Sequence, residues 1–179
     1  MKLRILLIAL LLTSGAWAKT LKGTYLYHTD GDTVVFAYQG KRLICQLDGI
    51  DAPEVYASAK MIKNAKTAKI GYGDLQEIGL QSYLYLRDTF VRGERYTLKV
   101  RKGNAPKVNR CLVYRSGERL SVNEKSLFDG YALADRTSGL LDPMSKVRGH
   151  FLALEHVARD DRSGLWSENF EPLERLRRD

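Results

Sequence analysis

The chain has 179 residues, enough for one domain with a substantial core and too few for two comfortable ones. Hydrophobic residues make up 44% and charged residues 28%, which excludes a disordered chain, and no period of about 20–50 residues recurs, which excludes a repeat array. The net charge of +8 leaves two readings, attraction to a polyanion such as nucleic acid or simple solubility.

The first 18 residues differ from the rest. Lys2 and Arg4 precede an unbroken apolar run from Ile5 to Leu12, and Ala16-Trp17-Ala18 sets small residues at the positions a signal peptidase reads. The run is far shorter than the ~18–20 apolar residues that span a bilayer. It predicts a secretory signal over residues 1–18, cleavage after Ala18, and a single domain over residues 19–179, exported to the periplasm or secreted. Loss of Lys2 and Arg4 leaves 27 basic against 21 acidic side chains, a net charge of +6. Export also exposes Cys45 and Cys111 to oxidising conditions. Two readings stay open there: two buried free thiols, or a bridge closing a long loop and contributing about 2–4 kcal/mol.

Residues 21–50 look like strands. TLKGTYLYHT alternates, Asp30-Gly31 marks a turn, TVVFAY is β-branched and aromatic, Gln39-Gly40-Lys41 marks a second turn, and RLICQLDGI follows. Tight connections between three strands predict a meander. Residues 57–70 are rich in Ala and Lys, with Lys60, Lys63, Lys66 and Lys69 every third residue, and read either as a short helix or as a basic loop. Leu75, Ile78, Tyr83, Leu86 and Phe90 form an apolar stripe that predicts a helix over residues 75–90, stopped by Gly93. Tyr96–Val100 and Arg110–Tyr114 are two further strands flanking a basic loop with Pro106. Ser121 and Glu124 form a capping box for a short helix ending near Gly130. Asp142-Pro143 predicts the start of a last helix, with Leu152, Leu154 and Val157 inward and Gly164 as its stop. The order predicts an α+β protein that is mainly a β-barrel: a five-stranded Greek-key OB-fold barrel with three helices, against a generic α+β sandwich.

Asp30, Asp32, Asp51 and Glu54 fall at strand ends that a meander brings to one edge. Converging carboxylates repel unless a cation or a proton neutralises them, and oxygen-only sites suit calcium or magnesium. Ala52 precedes Pro53, so its extended backbone can aim a carbonyl at the same ion. Two Asp would then hold the metal and Glu54 would accept a proton from water. The plainer alternative is a hairpin-turn Asp and a loop Asp with no ion at all.

DGDTVVF at 30–36 and LDGIDAPE at 47–54 resemble the signature of the staphylococcal nuclease family, and VNRCLVY, VNEKSLFDGYALA and GLW follow in order at 108–114, 122–134 and 164–166. The resemblance implies an OB-fold barrel hydrolysing DNA and/or RNA with Ca²⁺, leaving 3′-phosphate ends. It implies that Asp32, Asp51 and the Ala52 backbone oxygen hold calcium with Asp30 in an outer shell, that Glu54 is the base, and that Arg110 holds the phosphate. The family's second arginine falls on Gln46, which cannot make a charged two-pronged contact. Arg42 or a lysine between 60 and 69 stands available to replace it. The family's stacking tyrosines are absent, and Arg136 stands near one such position, with Lys60 and Lys63 as further substrate contacts. The same resemblance sets Cys45 and Cys111 on neighbouring strands, facing away from residues 46 and 110. A monomer is expected. The competing readings are a catalytically weakened OB-fold nucleic-acid-binding module and a calcium-stabilised structural domain.

Overall fold

The computed structural model describes residues 19–103 and 107–177. The expected signal segment over residues 1–18 and Pro106 of the basic loop lie outside them. Strands β1 (Lys19–His28), β2 (Thr33–Tyr38) and β3 (Lys41–Leu47) form the expected meander. Gln39 (φ 49°) and Gly40 (φ 71°) turn the second hairpin with the positive dihedrals that match sheet twist. A two-residue strand β4 (Ile50–Asp51), helices α1 (Ala59–Ala68) and α2 (Tyr72–Thr89), and strands β5 (Arg95–Lys102) and β6 (Val108–Tyr114) follow. The remaining elements are α3 (Val122–Phe128), β7 (Leu133–Ala134), α4 (Lys146–Asp160) and α5 (Phe170–Arg177). The five long strands close a barrel in the order β1-β2-β3-β6-β5, with β3 and β6 parallel and the other pairs antiparallel.

Period-two alternation fills the barrel with Val34, Phe36, Cys45, Leu47, Tyr96, Leu98, Val100, Cys111 and Val113. A side chain at Gly23 would meet Leu98 and Phe36 at 2.9 Å, so only glycine fits there. Register slips between Tyr25 and Tyr27 along β1, and the buried side chains there are Tyr25 and, three residues on, His28. Cys45 and Cys111 form a disulfide inside the barrel, Cα–Cα 5.5 Å apart, between β3 and β6.

Helix bounds differ from the sequence reading in instructive ways. Residues 59–68 are helical: Ser58 Oγ accepts from the Met61 amide, and Met61, Ala65 and Ala68 are buried. α2 begins at Tyr72, three residues before the apolar stripe, because the Asp74 carboxylate caps the Gly71 amide. The helix ends at Thr89, within one residue of the expected end, and Gly93 sits in the turn into β5. Ser121 and Glu124 cap α3 as expected. Asp142-Pro143 does not open α4. Asp142 Oδ1 accepts the Met144 amide in a turn, and Ser145 Oγ caps the helix three residues later. The inward face of α4 is Phe151, Glu155 and Ala158; Leu152 and Leu154 are half-buried, and Val157 is 41% exposed. Gly164 opens a 3-10 turn instead of ending α4. Nor is α4 the last helix, because α5 packs against α1, its Arg175 donating to the Ala68 carbonyl at 2.9 Å. Among the described residues, five helices therefore surround the barrel where the sequence predicts three.

Candidate active site

The acids are brought together by backbone constraints. The Leu47 amide donates to the Asp32 carbonyl at 2.7 Å, joining the end of β3 to the entry of β2. Gly49 (φ 79°) reverses the chain, and β4 pairs with β7 so that Asp51 faces Leu133 in register. A side chain at Gly31 would lie 2.7 Å from Ala52 Cβ, so the Asp30–Asp32 turn presses on the Asp51–Pro53 segment. A side chain at Gly79 would lie 2.5 Å from the Glu54 carbonyl, so α2 fixes the backbone of Glu54. Both glycines permit a close approach that any larger residue would block.

Asp32 is 5% exposed. Its Oδ1 accepts from Thr33 Oγ1 at 2.9 Å, its amide donates to Asp30 Oδ1 at 3.0 Å, and its Oδ2 is buried without a hydrogen-bond partner. Burial, followed by the charges of Asp30 and Asp51, pushes the Asp32 carboxyl well above the usual range. Burial also raises Asp51, against the opposing pull of Lys60. Lys60, the second residue of α1, places Nζ 2.5 Å from Asp51 Oδ1 and 2.6 Å from Glu54 Oε1. Burial works against its charge, but Asp51 and then Asp32 outweigh that and raise it. Among the described residues, no three His, Cys, Asp or Glu side chains are gathered so as to hold a metal by themselves.

The raised Asp32 carboxyl has a consequence for stability. A raised folded-state value stabilises below the unfolded range and loses that contribution as pH rises through it. At neutral pH the carboxylate is therefore a net cost in metal-free protein. Asp32→Asn is expected to raise the melting temperature in chelator, by about 2–4 °C per kcal/mol of relieved charge burial. The gain should vanish near pH 3. A melting series across pH checks it; a lower melting temperature at pH 7 would contradict it.

Asp51 and Lys60 also line a cavity of about 380 Å³, together with Gln46, Lys63, Arg110, Asp135, Arg136 and Arg177 among others. Gln46 and Arg110 are register partners on parallel β3 and β6, so both project the same way. Arg110 Nη1 is held by Asp135 at 3.1 Å, and Arg136 is tied to Glu155 at 2.6 Å. A larger cavity of about 580 Å³ lies between α2 and α3. Its Asp88 and Asp129 are paired, with Arg87 and with Tyr85 and Lys125 respectively. The Lys60–Asp51 pair lies at the smaller one, with Gln46 and Arg110.

A family model described as Staphylococcal nuclease homologue matches residues 45–168, well over half of the chain. The protein belongs to the staphylococcal nuclease family. No curated protein matches the chain. A nuclease-like or nucleic-acid-binding barrel is thereby established for it.

Within this nuclease-family chain, Asp51, Glu54 and Arg110 fall inside the matched segment, whereas Asp30 and Asp32 precede it. The placement of Asp32 therefore rests on the geometry above. The structure brings Asp30, Asp32, Asp51, Glu54 and Lys60 together and sets Gln46, Arg110, Arg136 and Lys63 around the adjoining cavity. Arg42 pairs with Ala37 near the far hairpin, away from Gln46, and does not replace the missing arginine. Sequence reasoning missed Asp135 and Arg177. Asp135 follows GYALA directly, and its amide is held by the Gly49 carbonyl at 3.0 Å, a long-range contact with no local signature. Arg177 sits on α5, beyond the matched segment.

Proposed function

We propose that the protein is an exported, monomeric, calcium-dependent nuclease that hydrolyses phosphodiester bonds of DNA and/or RNA and leaves 3′-phosphate ends. The observation that carries this reading is the buried, partnerless Oδ2 of Asp32 beside Asp51. A buried carboxylate oxygen without a partner is costly, and a hard cation is the partner that suits oxygen donors. The residues present fit such an ion: Asp32 and Asp51 supply side-chain oxygens, the Ala52 backbone oxygen a third, and Asp30 supports Asp32 through its amide. Bound calcium would polarise the phosphoryl oxygen and offset the charge that develops on it.

Each side chain then has a separate task. Glu54 accepts the proton of the water that attacks phosphorus. The new P–O bond forms from that water, the bond to the 5′ oxygen breaks, and the departing oxygen takes up a proton. Arg110, aimed by Asp135, donates to the phosphoryl oxygens as charge builds. Gln46 adds one amide hydrogen bond without charge. Lys63 and Arg136 line the path of the flanking phosphates. A secretory signal at residues 1–18 supports export.

A second reading, a catalytically weakened OB-fold nucleic-acid-binding module, is favoured by Gln46 alone. Losing one oriented donor costs on the order of 10²–10³ in rate. Cleavage of end-labelled DNA and RNA with calcium and with chelator separates the two. Salt-dependent binding with no shortening of either polymer would support the binding module.

A further inference from the structure

Lys60 occupies the two carboxylates that the nuclease reading needs elsewhere. Its ammonium lies 2.5 Å from Asp51 and 2.6 Å from Glu54. A dication drawing an oxygen from Asp51 competes with that ammonium for the same charge. Glu54 cannot serve as an efficient base while its carboxylate is held by a cation. The two arrangements are therefore exclusive. The side chain of Lys60 is 39% exposed and has a flexible four-carbon stem, while Ser58 fixes the backbone of the first turn of α1. Only the side chain has to move.

Once displaced, the ammonium needs another anion. The arginines of the cavity already have one: Arg110 has Asp135, Arg136 has Glu155, and Arg177 has Glu174. Gln46, the register partner of Arg110, contributes no charge. We propose that Lys60 competes with the divalent cation for Asp51 and Glu54, and that on displacement its ammonium binds the substrate phosphate on the side where Gln46 carries no charge. This inference rests on the nuclease reading above. The side chain thus acts as an internal counter-ion in the resting site and as a phosphate ligand in the loaded one.

Calcium titrated calorimetrically into wild type, Lys60→Gln and Asp51→Asn, without nucleic acid, tests the first half. Lys60→Gln is expected to bind calcium more tightly than wild type by about tenfold, within the range usual for coupled binding. Asp51→Asn is expected to lose the binding. Unchanged or weaker affinity in Lys60→Gln, with wild-type binding that depends on Asp51, overturns the inference and leaves the nuclease reading standing. No Asp51-dependent binding in either protein overturns the nuclease reading itself, and the inference with it. For the second half, a short single-stranded oligonucleotide is bound to Glu54→Gln and to Glu54→Gln/Lys60→Gln. The second variant should bind several-fold more weakly than the first in calcium and equally in chelator. An equal loss in both conditions, or no loss, overturns the phosphate role.

Discussion

Glu54→Gln is expected to lower the rate of calcium-dependent cleavage by about 10²–10⁴, the usual contribution of a positioned general base. The amide is nearly isosteric, so the close packing of α2 at Gly79 against the Glu54 backbone is undisturbed. What disappears is the proton acceptor. Asp32 and Asp51 keep their carboxylates, and Lys60 keeps Asp51 as a partner. Calcium affinity should therefore change far less than kcat. Steady-state cleavage with a parallel calcium titration makes the comparison. A kcat within threefold of wild type would remove Glu54 from the chemistry, and a lost calcium affinity would reassign it as a ligand.

The largest expected loss of stability lies behind the site. Asp48 is 0% exposed, and its carboxylate is held by Arg101 through Nε and, at 2.6 Å, through Nη2. Ser138 Oγ donates to the same carboxylate at 2.6 Å. The Asp48 carbonyl also accepts from Asn123 at 2.9 Å, which ties the β3–β4 turn to α3. Arg101→Met removes the charged partner and leaves a buried carboxylate with one hydroxyl. Breaking a buried pair in this way costs about 3–5 kcal/mol. At about 2–4 °C per kcal/mol, the melting temperature should fall by about 6–20 °C. Arg101→Met/Asp48→Asn should recover part of the loss, because it removes the stranded charge. Since Asp48 lies three residues before Asp51, the single variant should also lose activity below its melting point. Thermal unfolding of the three proteins decides it, and a drop of less than 2 °C in Arg101→Met would contradict the account.

The convergence of Asp30, Asp32, Asp51 and Glu54 was legible because it depends on two tight turns and on strand alternation, both local properties. The individual strands were legible for the same reason, whereas the parallel β3–β6 pairing that closes the barrel joins segments far apart in sequence. α1 was ambiguous because its buried face is Met61, Ala65 and Ala68, too weak an apolar stripe to separate a helix from a basic loop. What settles it is packing on Leu75 and on Leu176, the latter distant in sequence. α5 escaped notice because Leu173 is its one large buried apolar residue amid charged neighbours. At Asp142 two capping residues compete within four positions: the Asp142 carboxylate is used in the turn at Met144, and Ser145 Oγ takes the Val147 amide that opens the helix. The role of Lys60 was hidden in a run of evenly spaced lysines. Only its ion pairs with Asp51 and Glu54 distinguish it from Lys63, Lys66 and Lys69.

The central claim, a cation-dependent nuclease built on Asp32, Asp51 and Glu54, is tested most directly by cleavage of single-stranded DNA and RNA by the protein lacking residues 1–18. The polymer should shorten in calcium, stop shortening when chelator is added, and resume when calcium is restored in excess. Asp51→Asn should stay inactive throughout. Cleavage that continues in chelator, or none in calcium while the protein remains folded, would contradict the account.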